Sequence, residues 1–171
     1  MEGFEIIRAT VEDEQTLCEM FLKHITAHPE YISHGEIQMG VGEGEFEDGV
    51  LVARPSSRAR ECWMRYIHGD MTADDAAVFK AVTPDGEIIG FTVAEIQEDG
   101  AEPFGMVCDV LVREECRGEG VGGRLLENAV AWLQAQGVKG IYLESGKNNH
   151  AAHRFFEKRG FCHVSEIYKL A

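Results

Sequence analysis

The feature that most constrains this chain is an apolar segment that passes through a cluster of glycines into an amphipathic stretch. Residues 104–112 are almost wholly apolar, which predicts a central strand buried on both faces. Four glycines follow, and apolar side chains then recur at helical spacing over 120–136. A helix N-terminus exposes backbone N–H groups and about half a positive charge. The segment therefore predicts a phosphate cradle, whose glycines let an anion approach the backbone.

Two familiar nucleotide-binding motifs also place glycines before a helix. A Walker A loop continues with Lys and then Ser or Thr, whereas Arg124 and Leu125 follow here. A Rossmann loop lies early in a β-α-β unit and has an acidic residue at the end of the next strand. Glu144 lies roughly twenty residues on, but these glycines follow the third strand of a largely antiparallel series. Both motifs are less favoured than another kind of cradle, to which Arg117 can add a charge-assisted bond.

The length of 171 residues favours one domain, 1–171, around one layered core. No apolar stretch approaches the roughly 18 residues of a spanning helix, and the opening MEGFEIIR lacks the pattern of a signal peptide. The cytoplasm is the predicted location. The five cysteines are scattered and include no C-x-x-C pair, so we expect reduced thiols.

The charge of the chain is strongly negative and unevenly distributed. Sixteen basic and thirty acidic residues give a net charge of −14, which disfavours nucleic acid and anionic membranes as partners. Residues 1–50 carry twelve acidic and two basic side chains, a net −10. This part of the chain is predicted to face a cationic partner, and the alternative is a solvated acidic surface.

The remaining elements are predicted from periodicity, caps and turns. Their order, β-α-α-β-β-β-α-β-α-β, indicates an α/β (α+β) fold with a mixed, mostly antiparallel sheet and helices on both faces. A long loop with at most short structure is expected over 28–55. The expected strands are 6–9, 76–83, 87–97, 104–112, 139–145 and 167–170, and the expected helices start near Thr10, run from Ser56 or Ser57 to about Gly69, and cover 120–136 and 149–159.

Two spaced motifs resemble the GNAT superfamily of acyl-CoA-dependent N-acetyltransferases. The family's R/Q-x-x-G-x-G/A pattern falls on residues 117–122, after a strand Asp109–Val112 that is similar to its D-L-Y-V. Its N-x-x-A-x-x-F-Y-x-x-x-G-F pattern falls on residues 149–161. The resemblance implies a single-domain GNAT-like fold with a splayed central strand pair. It leaves out residues 28–70, the variable acceptor-side region of the family.

The resemblance also implies where acetyl-CoA, the acyl donor, would bind. The backbone of the third strand would bind the pantetheine arm, and the cradle would bind the pyrophosphate. The central strands would separate beyond Leu111 and around Ser145. Asn149 would lie beside the pantetheine or adenosine end, although it could equally be the N-cap of the last helix. The implied binding residues are Val110, Leu111, Val112, Arg117, Gly118, Glu119, Gly120, Val121, Gly122, Gly123, Asn149 and Phe156.

One position departs from the family pattern. The tyrosine that usually protonates the leaving thiolate is replaced by Phe156, which follows Phe155. A positioned general acid contributes roughly 10²- to 10⁴-fold, but a thiol with a pKa near about 8.5 is a tolerable leaving group. We therefore expect slower turnover rather than none. Water, Tyr142, Tyr168 or Cys162 could substitute.

The general base is predicted from carboxylates that interrupt apolar strands. An alkyl amine must lose a proton before it attacks, which costs roughly 4 kcal/mol at neutral pH. Asp109 interrupts the central strand, and its alternative role is a buried carboxylate that accepts from backbone N–H groups. Glu95 interrupts the strand before it, and its alternative is an exposed sheet face.

The histidines and cysteines give weaker indications of a functional site than the carboxylates do. His24 with His28, and His150 with His153, lack a third ligand, so no metal is expected. Cys108 and Cys116 are expected to be small core or turn residues, although the resemblance would bring Cys108 near the thioester.

These observations predict transfer of an acetyl group from acetyl-CoA to a primary amine, by direct attack in a ternary complex. The acidic first third favours a cationic acceptor such as a polyamine, an aminoglycoside-like amine, or a lysine or N-terminal amine of a peptide. The alternative is an acyl-CoA-binding module with little or no catalysis. A homodimer is one option for the assembly.

Overall fold

The computed structural model describes residues 3–98 and 102–170. The chain divides into two compact units, one formed by residues up to Phe21 with Met64–Leu143, the other by Leu22–Trp63 with residues from Glu144 onward. No helix in the described ranges has the length and apolar character needed to cross a membrane. The strands are β1 Glu5–Arg8, β2 Gly42–Glu47, β3 Val50–Pro55, β4 Ala76–Val82, β5 Ile88–Gln97, β6 Phe104–Val112 and β7 Ile141–Leu143, and the helices are α1 Glu14–Ala27, α2 His34–Gln38, α3 Ala59–Thr72, α4 Val121–Ala135 and α5 His150–Glu157.

The first unit contains a five-stranded sheet in the order β1-β4-β5-β6-β7. All neighbouring strands are antiparallel except β6 and β7, which are parallel. The predicted mixed, mostly antiparallel sheet is therefore confirmed. The hairpin of β4 and β5 turns at Thr83–Gly86, where Gly86 has a φ of 85°. The sequence Pro84-Asp85-Gly86 favours such a turn.

Helices cover both faces of this sheet, as predicted. A Cβ atom at Gly90 would lie 3.0 Å from Leu125 of α4, so glycine is needed for close packing on that face. Gly90 is opposite Val112 and Asp109 is opposite Val93, so Asp109 points to the other face. There its carboxylate contacts α3.

The central strand β6 is not buried on both faces, contrary to the prediction from its apolar sequence. Gly105, Val107 and Leu111 are buried, whereas the other residues of β6 are only partly buried. The alternation breaks at Cys108, because the register shifts from Val107 directly to Asp109. Cys108 is the extra residue of a β-bulge, which bends a strand and increases its twist.

The second unit corrects the prediction of a long loop over 28–55. This segment forms α2 and then a two-stranded hairpin of β2 and β3. Asp48 and Gly49 both have positive φ, 50° and 80°, which matches the Asp-Gly turn of a tight hairpin.

The C-terminal part also differs from prediction. Strand β7 ends at Leu143, and residues 161–170 form no strand within the described part of the chain. Tyr168 and Leu170 are exposed there. Lys169 donates to the carbonyl of Gly44 at 3.2 Å. The predicted strand 167–170 is therefore wrong, and its apolar side chains are exposed instead of packed on a sheet.

Candidate functional site

The predicted cradle is a turn that leads into the N-terminus of α4. Gly118 and Gly120 have φ values of 84° and 83°, in the region that favours glycine. A side chain added at either position would meet open space. The first intrahelical bond runs from Arg124 N to Gly120 O at 3.1 Å, so the N–H groups of residues 121–123 point out of the helix end.

Gly120, the N-cap residue of α4, has no side chain that could cap these N–H groups. The cradle therefore offers three backbone donors and the positive end of a helix dipole, which suit a diphosphate. Arg117 lies beside it, and its Nε donates to the carbonyl of Val112 at 3.2 Å. Glu119 is exposed in the turn. The cradle residues thus have the arrangement that the sequence predicted, while their binding role stays a prediction.

The ladder between β6 and β7 ends at Val107 and Leu143. Strand β6 continues to Val112 and pairs there with β5 on its other side. Within the described residues, no strand pairs with Val110–Val112 on the β7 side. The strands therefore separate four residues before Leu111, earlier than expected. We attribute the difference to the bulge at Cys108, which turns β6 at this point.

Both predicted bases belong to one cluster on the α3 face of the sheet. Asp109 accepts a hydrogen bond from the hydroxyl of Tyr66 at 2.9 Å. Glu95 lies close enough to Asp70 to raise the pKa of that carboxyl. Its Oε2 also accepts from Nε2 of Gln97 at 3.1 Å. Tyr66 and Asp70 are four residues apart on α3, so they share one helix face.

The electrostatics of this cluster follow from burial among like charges. Burial and the neighbouring Glu95 raise the pKa of Asp70 to about 8. Burial, followed by the charge of Asp109, raises the pKa of the Tyr66 phenol. Burial and Glu95 raise the pKa of the Cys108 thiol, which keeps it neutral and a poor nucleophile. The cluster can hold and release a proton near neutral pH.

The cluster consists of Tyr66, Asp70, Glu95, Cys108 and Asp109. The sequence analysis identified two of these side chains, Glu95 and Asp109, as candidate bases. The alternative of an exposed sheet face for Glu95 is wrong, because this side chain lies in the cluster. Asp70 was missed because the helix was predicted to end near Gly69, whereas α3 continues to Thr72. The i, i+4 spacing of Tyr66 and Asp70 was the available signal.

The second unit contains the other two predicted binding residues. Asn149 is the N-cap of α5, and its side-chain oxygen accepts from Ala152 N at 3.2 Å. This is the capping alternative, and a ligand role for Asn149 stays a prediction. The ring of Phe156 lies 5.3 Å from that of Phe155 and 6.1 Å from that of Phe161, so it is part of an aromatic cluster.

The side chains that could replace the missing tyrosine as general acid, and the two histidine pairs, make contacts that do not indicate a site. Tyr142 contacts Phe104 edge-on at 5.7 Å, and Tyr168 donates to Glu166 at 2.8 Å. Cys162 is exposed, and all five cysteines are free thiols. His28 stacks on Tyr31 at 4.9 Å. In residues 3–98 and 102–170, no three His, Cys, Asp or Glu side chains form a group that could hold a metal ion.

Comparison with known proteins gives a consistent result. The profile of the Acetyltransferase (GNAT) family matches residues 48–161, more than half of the chain. Aminoglycoside N(6')-acetyltransferase type 1 of Stenotrophomonas maltophilia is 34% identical over 88 residues, 47% of this chain and 58% of that protein. N-alpha-acetyltransferase 30 of Schizosaccharomyces pombe is 29% identical over 65 residues, 38% of this chain and 43% of that protein. The chain spans about half the length of these curated relatives.

Solved structures share the fold at low sequence identity. A tetramutant of the BH1408 protein from Bacillus halodurans has a TM-score of 0.73 and 17% identity, over 98% of this chain and 99% of that one. AAC(6')-Iy in complex with the bisubstrate analogue CoA-S-monomethyl-acetylneamine has a TM-score of 0.71 and 15% identity, over 99% and 98%. The family profile, the cradle and the fold agree, and the chain belongs to the GNAT acetyltransferase family.

Proposed function

We propose that this protein transfers an acetyl group from acetyl-CoA to a primary amine of a cationic acceptor. The proposal is supported by three features that occur together in the first unit. A cradle of backbone donors, an unpaired edge of β6 and a cluster of carboxyl groups lie on one sheet and the helices that cover it. A diphosphate, an amide-bearing arm and an amine are the groups that these three features suit.

The residues present fit acetyl-CoA as the acyl donor, which supplies the thioester. The N–H groups of residues 121–123 would bind the pyrophosphate, and Gly118 and Gly120 leave open space beside it. The backbone of Val110–Val112 has no strand partner on the β7 side among the described residues, so an extended pantetheine arm could pair with it there. Arg117 would add a positive charge beside the phosphates.

The carboxyl groups of the cluster would act on the acceptor. The ammonium form of an alkyl amine cannot attack, so a carboxylate must take its proton. Glu95 and Asp109 both serve this chemistry, and Tyr66 holds Asp109 in place. The neutral nitrogen then forms a bond to the carbonyl carbon as the carbon–sulfur bond breaks. The departing thiolate takes up a proton, for which Phe156 offers no hydroxyl.

Charge favours a cationic acceptor. The cluster carries acidic side chains, and Glu43, Glu45 and Glu47 form a second acidic row on the exposed face of β2. Opposite charge raises local substrate concentration and association rate. The similarity to aminoglycoside N(6')-acetyltransferase type 1 adds support for a small molecule with several amines.

A thiol-release screen tests this function. The protein is mixed with acetyl-CoA and one amine at a time, taken from polyamines, aminoglycosides, monoamines and lysine peptides, and free thiol is measured. We expect release above background with polycationic amines. Calorimetry with CoA is run in parallel. CoA binding without thiol release with any amine would instead favour an acyl-CoA-binding module.

A further inference from the structure

Thr92 lies in β5, opposite Val110 of β6 and close to the bulge. Among residues 3–98 and 102–170 it is the one residue with a hydroxyl, amide or charged side chain that is buried, with 0% of its surface exposed. Its neighbours in β5, Phe91 and Val93, are apolar and also buried. A buried hydroxyl is costly unless it forms a hydrogen bond, so threonine at this position requires a partner.

The partner of the Thr92 hydroxyl is the backbone of Asp109. Oγ1 of Thr92 donates to the carbonyl oxygen of Asp109 at 2.7 Å. Cys108, the extra residue of the bulge, immediately precedes Asp109, and a bulge disrupts the ladder of backbone hydrogen bonds. The side chain of Thr92 therefore adds a hydrogen bond to β6 at the point where its ladder is disrupted.

Two hydrogen bonds reach Asp109 from opposite faces of the sheet. Thr92 is two residues from Gly90, so its side chain points to the α4 face. The carboxylate of Asp109 points to the other face, where the hydroxyl of Tyr66 on α3 donates to its Oδ2 at 2.9 Å. Thr92 thus fixes the backbone of Asp109, and Tyr66 fixes its carboxylate.

The other predicted base is held differently. Oε2 of Glu95 accepts from Nε2 of Gln97 at 3.1 Å, a contact between two residues of the same strand. Asp109 is instead held by residues of two other elements, α3 and β5. Of the two carboxylates, Asp109 therefore has the position that the tertiary structure fixes more fully.

The place of Asp109 along β6 relates it to the proposed donor site. The ladder with β7 ends at Val107, and Asp109 is the second residue beyond that point. Asp109 directly precedes Val110–Val112, the edge that the proposed function assigns to the pantetheine arm. That arm carries the thioester of acetyl-CoA.

We propose that Thr92 and Tyr66 are positioning residues that hold Asp109 as the carboxylate that accepts the proton of the acceptor amine. This inference rests on the proposed function. The ammonium gives a proton to Asp109, and the nitrogen keeps the electron pair of the broken N–H bond for its attack on the thioester carbon. Asp109 releases the proton to water after the amide has formed. A displacement of a reacting group by about 1 Å can lower a rate by about 10²-fold, so the two hydroxyls matter for turnover.

The kinetic test changes one hydroxyl at a time. Thr92→Val keeps the branched shape and removes the donor, whereas Thr92→Ser keeps the donor and removes a methyl group. We expect Thr92→Val to lower kcat for a polyamine about tenfold while CoA affinity in calorimetry is unchanged, and Thr92→Ser to stay within about twofold of the parent. Thr72→Val is the matched control and should match the parent, because Thr72 is exposed and its hydroxyl also donates to a backbone carbonyl, that of His68 at 2.8 Å.

A kcat of Thr92→Val equal to that of the parent would overturn the inference. So would a loss in Thr92→Ser as large as the loss in Thr92→Val, because the methyl group and not the hydroxyl would then be responsible. If Thr92→Val does not fold, Thr92→Ala replaces it, since Thr92→Ala and Thr92→Ser differ by one hydroxyl. Equal kcat values in that pair would overturn the inference in the same way.

A second measurement needs no turnover. Tyrosine labelled with carbon-13 at Cζ gives a resonance for Tyr66, which is assigned by its loss in Tyr66→Phe and which reports the hydrogen bond of the phenol. We expect Asp109→Asn and Thr92→Val to shift this resonance, and Thr92→Ser and Thr72→Val to leave it at the parent's position. An unshifted resonance in Thr92→Val would reject the role of Thr92. Absence of thiol release with every amine would reject the proposed function, and the Tyr66 resonance would still decide whether Thr92 positions Asp109.

Discussion

The hydroxyl of Tyr66 donates to Oδ2 of Asp109 across 2.9 Å, which joins α3 to β6 one residue after the bulge. The bond explains how a carboxylate can stand in the central strand of a sheet, since a buried charge needs a hydrogen-bonding partner. It also sets the position of α3, whose next turn carries Asp70. The cluster therefore includes a long-range contact between two elements that are far apart in sequence.

We first predict the effect of removing this bond. Tyr66→Phe leaves the Asp109 carboxylate without its phenol, and a hydrogen bond to a charged group contributes about 1.5–3 kcal/mol. The free energy of unfolding in urea should fall by about that amount. Tyr142→Phe is the control, because that tyrosine is 47% exposed. Equal stability of the two variants would mean that the Tyr66–Asp109 bond is not formed in solution.

The cradle yields the second prediction. Gly120→Asp places a like charge against the pyrophosphate, so CoA affinity measured by calorimetry should fall at least about tenfold. The substitution also forces a side chain into positive φ, which costs about 1–2 kcal/mol. Gly86→Asp separates the two effects, because Gly86 has a φ of 85° and open space around it but lies in the β4–β5 turn. Unchanged affinity in Gly120→Asp would reject the cradle.

Stability should depend on pH through Asp70. Its pKa is raised from 3.8 in the unfolded chain to about 8 in the fold, so the folded state holds a proton that the unfolded state releases. The stabilising contribution is present below about pH 4 and is lost as the pH rises to about 8. Asp70→Asn should remove this loss, so its melting temperature relative to the parent should rise between pH 5 and about pH 8.5. A constant difference between the two proteins over this range would contradict the assignment.

The missing tyrosine of the family pattern gives a fourth prediction. If Phe156 occupies the general-acid position, Phe156→Tyr should raise kcat severalfold below the thiol pKa of about 8.5 and leave CoA affinity unchanged. Phe155→Tyr is the matched control, because the Phe155 ring makes a cation–π contact with Arg159. The guanidinium carbon lies 3.9 Å from the centre of that ring. A turnover that does not rise in Phe156→Tyr would assign the protonation of the thiolate to another group or to water.

The acidic row on β2 gives the last prediction. Neutralising Glu43, Glu45 and Glu47 to Gln should lower kcat/KM for a polyamine more than for a monoamine and should flatten its salt dependence. The reason is that long-range attraction is screened as the Debye length shrinks from about 10 Å at 0.1 M salt to about 3 Å at 1 M.

A matched triple variant controls for net charge. Replacing the exposed Glu12, Glu19 and Glu127 by Gln removes the same charge from the first unit. Stability should change little in either variant, because exposed ion pairs such as Glu47–Arg54 contribute about 0–1 kcal/mol. If both triple variants treat polyamines alike, the acidic row is a solvated surface and not an acceptor site.

Local patterns of the sequence were sufficient to predict several elements. The apolar run of β6, the glycines of the cradle and the helical spacing of α4 gave the bounds of those elements within a residue or two. Positive φ at Gly118 and Gly120, and the N-cap at Asn149, also follow from residue type in a short segment. These properties depend on steric and hydrogen-bonding preferences that act over a few residues.

Where local signals competed, the sequence reading was wrong. Five glycines over 28–55 suggested a loop, yet the Asp48–Gly49 turn and the alternation in β2 produce a hairpin. The C-terminal residues 167–170 have strand-like composition but no strand partner in the described residues. A strand forms only where another backbone accepts and donates its hydrogen bonds, and composition does not carry that information.

The carboxyl cluster was determined by tertiary structure alone. The sequence marked Asp109 and Glu95 as polar interruptions of apolar strands, which is a signal of unusual burial but not of mutual position. The bulge at Cys108 shifts the register, and α3 then lays Tyr66 and Asp70 over the same part of the sheet. The basicity of a carboxyl depends on charges and burial within a few ångströms, and these neighbours come from three separate parts of the chain.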